Sequence, residues 1–243
     1  MHSLGEIAVR SPAYERVLVI MAKAPRRGAV KTRLVPSVSP DAITDFYCCL
    51  LKDTLRLARS LSEVEVAIMC PESDVDDLAQ FAGKHATVLA QKGEGLAAGL
   101  TSVFSSLVDG HQRRTIAFNS DSPHLPPSVL EQAFERLIEH DVVVGPTYDG
   151  GYYLVGAKAF HPTLFASDGM GTNTALERLL SRAQALGLSV AFADCFYDVD
   201  IADDLHRLAE ELRAAPEKAP RTAAWLKQWE AAAGRNETGT GEP

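Results

Sequence analysis

The chain of 243 residues lacks any apolar run close to the roughly 20 residues that a membrane-spanning helix needs. Its cysteines, Cys48, Cys49, Cys70 and Cys195, show no CxxC spacing and no framework of a small disulfide-held domain. A reducing compartment, the cytoplasm, is therefore the expectation. The histidines form no HxH or HExxH pair, which removes the usual zinc signatures. Net positive charge is missing too. A formal charge of -8 argues against a general nucleic-acid or membrane-surface binder, because counterion release favours a basic surface. Glu6 interrupts the mildly apolar start of the chain, which makes residues 1–12 a poor signal peptide.

What remains is a chain of ordinary globular composition, 46% hydrophobic and 23% charged, long enough to fold without disulfides or metal. Short apolar runs rich in β-branched residues predict strands at Val17–Ala22, Val64–Cys70, Thr87–Ala90, Thr115–Asn119, Val142–Val144, Tyr152–Val155 and Ser189–Ala193. Helices are expected over Asp41–Leu61, from Pro126-Pro127 to Ile138, over Ile201–Leu212, and terminally over Arg221–Ala233. Strands alternating with helices imply an α/β fold: three layers, α/β/α, with a mostly parallel sheet. One domain is expected over residues 14–234, with flexible tails at 1–13 and 235–243.

Ligands of such sheets bind beyond the carboxyl ends of the strands, so the residues after each strand matter most. After Val17–Ala22 comes a loop holding Lys23, Arg26, Arg27, Lys31 and Arg33, with no acid anywhere from Arg16 to Pro40. Clustered cations in an acidic protein make a local anion site, since charge-assisted bonds to phosphate are strong. Gly28 lets the backbone turn or approach a ligand. Val30 stands where a Walker A loop needs glycine, so this is not that motif.

Three acidic places complement the loop. Asp121 follows the strand ending at Asn119 and can offer hard oxygen to magnesium or manganese, or cap a turn. In Tyr197-Asp-Val-Asp200, Asp200 stands where an N-cap would be for the next helix, with Asp203 near N3, which leaves Asp198 as the metal or ligand contact. In Asp149-Gly150-Gly151 the glycines make a hairpin turn or a bare backbone for a ligand, and Asp149 could orient a sugar or act as general base. Gly93–Gly99, with Glu94 and Gly95, reads as a turn into a helix near a nucleotide base. Asp168–Thr174 reads as a polar turn that opens a helix and could touch substrate through Thr172 and Asn173. His124 is expected to be structural, and Cys48 and Cys49 to pack within a helix.

Four ordered segments together resemble a known family: Ala22–Leu34, Asp121–Pro126, Gly145–Leu154 and Tyr197–Leu205. They look like the DUF2064 proteins, also called radical-SAM/selenodomain-associated transferases. The resemblance implies a GT-A, nucleotide-diphospho-sugar transferase fold, a divalent metal (Mg or Mn), a nucleotide or nucleotide-sugar substrate and a small-molecule acceptor. It places Gly28, Lys31 and Arg33 at the nucleotide phosphates and Asp121 at the metal. Met170 stands where the family often has tryptophan. Lys31–Leu34 and Gly171–Leu176 also resemble segments of the phospholactate guanylyltransferases. Two chemistries follow as expectations. One is a metal-dependent glycosyltransferase, with Lys31 and Asp149 catalytic, Lys23, Glu94 and Gly95 also on the nucleotide, Gly150, Gly151, Thr172 and Asn173 on substrate, and Asp198 joining Asp121 on the metal. The other is a nucleotidyltransferase acting on a triphosphate and a small phosphorylated substrate. A nucleotide-binding module without chemistry is the third reading.

Overall fold

Seven strands form a single sheet in the computed structural model, which describes residues 15–107, 113–166 and 172–238. The strands are β1 (Arg16–Met21), β2 (Val64–Cys70), β3 (Thr87–Ala90), β4 (Arg114–Asn119), β5 (Val142–Pro146), β6 (Tyr152–Ala157) and β7 (Val190–Phe192). Their order is β3-β2-β1-β4-β6-β5-β7. All pairings are parallel except those of β6, which runs antiparallel to both β4 and β5. The α/β sandwich with a mostly parallel sheet is thus as the residue pattern predicts.

Near-continuous apolar strands exist because both sheet faces are covered. Leu18, Ile20, Ile116 and Phe118 pack under α1 (Pro40–Arg59), α4 (Pro127–Glu139), α6 (Ala202–Ala214) and α7 (Pro220–Thr238). Val17, Val19, Val144 and Val155 point the other way, onto α3 (Gly95–Leu107) and α5 (Ala175–Ala185). Alternate residues of one strand feed the two cores, as a period of two requires.

Helix α2 (Val75–Ala82) has no counterpart among the predicted helices. It is two turns long and buries only Leu78 and Ala82, too few positions to show a period. Helix α7 runs on to Thr238, so residues 235–238, expected in the tail, are helical. Residues 1–13, 239–243, Met170 and Gly171 lie outside the described residues.

Register aligns the strand ends: Met21 pairs with both Met69 and Asn119. The carboxyl ends of β1, β2 and β4 therefore share one rim. The β5–β6 hairpin turns at that rim as well, through residues 147–151, with the Thr147 N–H donating to the Gly151 carbonyl. Among the described residues, no helix is long and apolar enough to cross a membrane.

Candidate active site

The loop after β1 is held by the turn after β2. Asp74, buried, accepts the Ala24 N–H through Oδ2 at 2.8 Å and the Arg26 guanidinium through Oδ1 at 2.6 Å. Arg26 donates further to the Ser73 carbonyl and to Asp77. Arg27 pairs with Asp41 at the start of α1. Arg26 and Arg27 therefore secure the loop. The Lys23 N–H donates to the Tyr47 hydroxyl, which also bonds Ser120 at the end of β4. Burial, helped by the charge of Asp121, pushes the Tyr47 phenol up to about 12, so it stays protonated.

Lys31 turns inward instead. Its backbone is left-handed, φ 48°, uncommon for a residue with a side chain. Its side chain, 5% exposed, puts Nζ 2.9 Å from Asp121 Oδ2 and 2.7 Å from Asp200 Oδ1. Burial disfavours the ammonium, but Asp121 and Asp200 outweigh it and raise its pKa above the ordinary lysine range. Asp200, raised by burial, is brought below the usual carboxylate range by Lys31. Asp198 goes the other way: burial, then the charge of Asp200, pushes it up to about 6. One oxygen each of Asp121, Asp198 and Asp200 lie within 4.8 Å of one another. Arg33, exposed, stands 3.6 Å from Asp200.

The expected cap of α6 needs correction. Asp200 is not the N-cap; that position is Ile201, and Asp204, not Asp203, accepts the N–H groups of both Asp200 and Ile201. Freed from capping, the Asp200 carboxylate faces Lys31. Choosing Asp198 over Asp200 as the contact had rested on that cap, and the structure brings both to Asp121.

Most of these groups open onto a cleft of about 930 Å³, large enough for a nucleotide-sized ligand. Lys23, Lys31, Arg33, Asp121 and Asp200 line it, facing Gln91 and the Gly93–Leu96 turn that includes Glu94 and Gly95. Gly28, at φ 75° with open space around it, serves the turn of the loop and does not line the cleft. Asp149, Gly150, Gly151, Thr172 and Asn173 do not line it either. They form a second group at the same rim. Asp149 Oδ1 accepts from the Thr147 hydroxyl at 2.5 Å and from the Gly151 N–H, so the carboxylate closes the hairpin. Gly150, at φ 88°, lies against the Asn173 carbonyl, where a Cβ would clash, and accepts the Leu176 N–H. Its bare backbone is therefore used by the protein itself.

Asp74 and Tyr47 are the site's unforeseen members. Asp74 follows a strand end, so the rule that singled out Asp121 also reaches it. Tyr47 lies mid-helix among apolar residues and carries no such signal.

The chain matches the family DUF2064, described as an uncharacterized protein conserved in bacteria, over residues 54–172. That segment holds the Asp121 and Asp149 motifs, and the match bears out the resemblance read from them. No curated protein matches. A structure from Desulfovibrio desulfuricans G20, provisionally assigned as a nucleotide-diphospho-sugar transferase, is 25% identical with TM-score 0.82, covering 90% of this chain and 96% of its own. The 4-diphosphocytidyl-2C-methyl-D-erythritol synthase of Anaerococcus prevotii DSM 20548 is 10% identical with TM-score 0.55, covering 83% of this chain and 97% of its own. Rv0371c of Mycobacterium tuberculosis H37Rv, solved in complex with manganese, is 21% identical with TM-score 0.50, covering 82% of this chain and 99% of its own. The fold is thus the nucleotide-diphospho-sugar transferase sandwich.

Proposed function

We propose that this chain, which matches the DUF2064 family over residues 54–172, is a metal-dependent transferase that uses a nucleotide-diphospho-sugar donor. One observation carries the reading. A cation and carboxylates from three separate stretches, Lys31, Asp121 and Asp198 with Asp200, converge, and Lys31, Asp121 and Asp200 of them line a nucleotide-sized cleft.

The carboxylates suit magnesium or manganese, which take hard oxygen ligands. The Lys31 ammonium lies against two of them, which supports reading the place as one that gathers a cation. Asp121, Asp198 and Asp200 would hold the ion, which when bound neutralises charge on a leaving nucleoside diphosphate. The manganese bound to Rv0371c, a relative in fold, supports this choice.

Lys23 and Arg33 lie open to the cleft and supply charge-assisted bonds to the phosphates, with Lys31 behind them. Glu94 and Gly95 face the nucleoside end. The hairpin and the turn at Thr172–Asn173 form the acceptor side. Asp149 keeps Oδ2 to orient the sugar or to take the proton of the acceptor hydroxyl as its oxygen attacks the anomeric carbon. The bond from that carbon to the diphosphate oxygen breaks, and the nucleoside diphosphate leaves with the electron pair.

The alternative is a nucleotidyltransferase, in which the same cleft cradles a triphosphate and a substrate phosphate displaces pyrophosphate. The fold shared with a diphosphocytidyl-methylerythritol synthase favours keeping it. A thermal-shift panel of nucleotide sugars and nucleoside triphosphates, with and without Mn²⁺ or Mg²⁺, tests both. A ligand at a hundred times its Kd adds about 2.7 kcal/mol to apparent stability. The expected hit is a nucleotide sugar that needs metal, followed by release of nucleoside diphosphate and no pyrophosphate when acceptor is added. Pyrophosphate release selects the alternative, and no shift from any nucleotide overturns both.

A further inference from the structure

Lys31 is asked to be in two places. Its ammonium rests against Asp121 and Asp200, the carboxylates proposed to hold the metal, while its loop lines the cleft proposed to take the phosphates. It is almost wholly covered there, on a left-handed backbone that few side chains adopt. A divalent ion on the same two carboxylates would meet a like charge within contact distance. Neither cation can keep its full set of bonds while the other is present.

We infer that Lys31 is an internal cation that closes the acidic cluster in the ligand-free protein, and that divalent metal gains the cluster only by displacing the ammonium, which the phosphates take up when nucleotide is bound. This rests on the reading of Asp121, Asp198 and Asp200 as a metal site. The consequence is thermodynamic. Whatever draws the ammonium away strengthens metal binding, and metal binding frees the ammonium for an anion by the same factor. Metal and nucleotide then bind as a pair, each weakly alone. Arg33, exposed and 3.6 Å from Asp200, contributes charge to the same region without filling the cluster.

The test is Mn²⁺ binding to nucleotide-free protein, followed by the electron paramagnetic resonance signal of free Mn²⁺. Lys31→Met is expected to bind Mn²⁺ at least tenfold more tightly than the unsubstituted protein. Arg33→Met, which removes an equal charge from beside the cluster, is expected to change affinity less than threefold. A second readout uses the unsubstituted protein and so survives any misfolding of the variant. Acylation of lysines by an N-hydroxysuccinimide ester, mapped by mass spectrometry, should spare Lys31 at first. It should modify Lys31 several-fold faster as Mn²⁺ is added, with Lys23 unchanged. Equal Mn²⁺ affinity in Lys31→Met and unsubstituted protein, equal gains in both variants, or Lys31 acylation indifferent to bound Mn²⁺ overturns the gate while leaving the metal site standing. Absence of Mn²⁺ binding in every form overturns the metal reading and the gate with it.

Discussion

His124 shows how much a single side chain can depend on its surroundings. It is wholly buried, tilted against Phe196 and Tyr197, and among the described residues neither ring nitrogen has a hydrogen-bond partner. Burial pushes its pKa down to about 4, and Glu211, 4.0 Å away, offsets only part of that. The folded ring therefore stays neutral while the unfolded chain takes up a proton below about pH 6.5. Stability from this group is complete above pH 6.5 and falls as pH drops toward 4. The loss is about 2 kcal/mol at pH 5. His124→Leu should remove that slice, so its urea midpoint should fall less between pH 7 and pH 5 than that of the parent. Parallel falls would refute it. The expectation of a structural histidine came from the sequence alone. Its missing partners could not be read that way, because Glu211 and Tyr197 approach from far along the chain. Asp200 carries the same lesson. An aspartate before a helix is a sound cap by local rules, and what displaced it was a competing cap, Asp204, together with a buried lysine from another loop.

At the scale of elements, strands were the most legible part, because burial on both faces leaves a dense apolar run wherever it occurs. Long helices were nearly as plain. The short α2 was not, nor was the antiparallel course of β6, because Asp149-Gly-Gly151 reads equally as a hairpin or as bare backbone for a ligand, and only the fold shows the hairpin. Helix α7 is docked by α1. Phe46 meets Trp225 at 4.7 Å between ring centres, and the buried Asp53 accepts both the N–H and the hydroxyl of Thr222. Asp53 thereby caps the first turn of another helix from 169 positions away. Asp53→Ala should cost about 2 kcal/mol, since it strands a buried N–H and hydroxyl together. Chemical denaturation measures the cost, and hydrogen exchange should show the loss concentrated in α7. A cost below a few tenths of a kcal/mol would show that the contact is idle.

Across the whole molecule, the cleft exists because parallel strands end on one rim and deliver their loops to it. Asp74 ties two of those loops together through Ala24 and Arg26. Asp74→Ala leaves a buried N–H unpaired, which costs about 1–3 kcal/mol, and loosens the loop that carries Lys23, Lys31 and Arg33. The expected result is a lower melting temperature together with a nucleotide-dependent shift at least halved. A variant that melts early yet keeps the full shift would separate the tether from the site.

Composition, strand spacing and the polarity of strand ends were properties of the sequence alone. They determined the layered sheet, the basic loop after β1 and an aspartate opposite it, because periodicity and turn chemistry act between near neighbours. Which cation meets which carboxylate was decided only in three dimensions. Arg26 and Arg27 went to the scaffold, Lys31 to Asp121 and Asp200, and Asp149 to its own hairpin. An ion pair is chosen by distance and burial, and Lys31 reaches Asp200 across 169 positions that no local pattern spans.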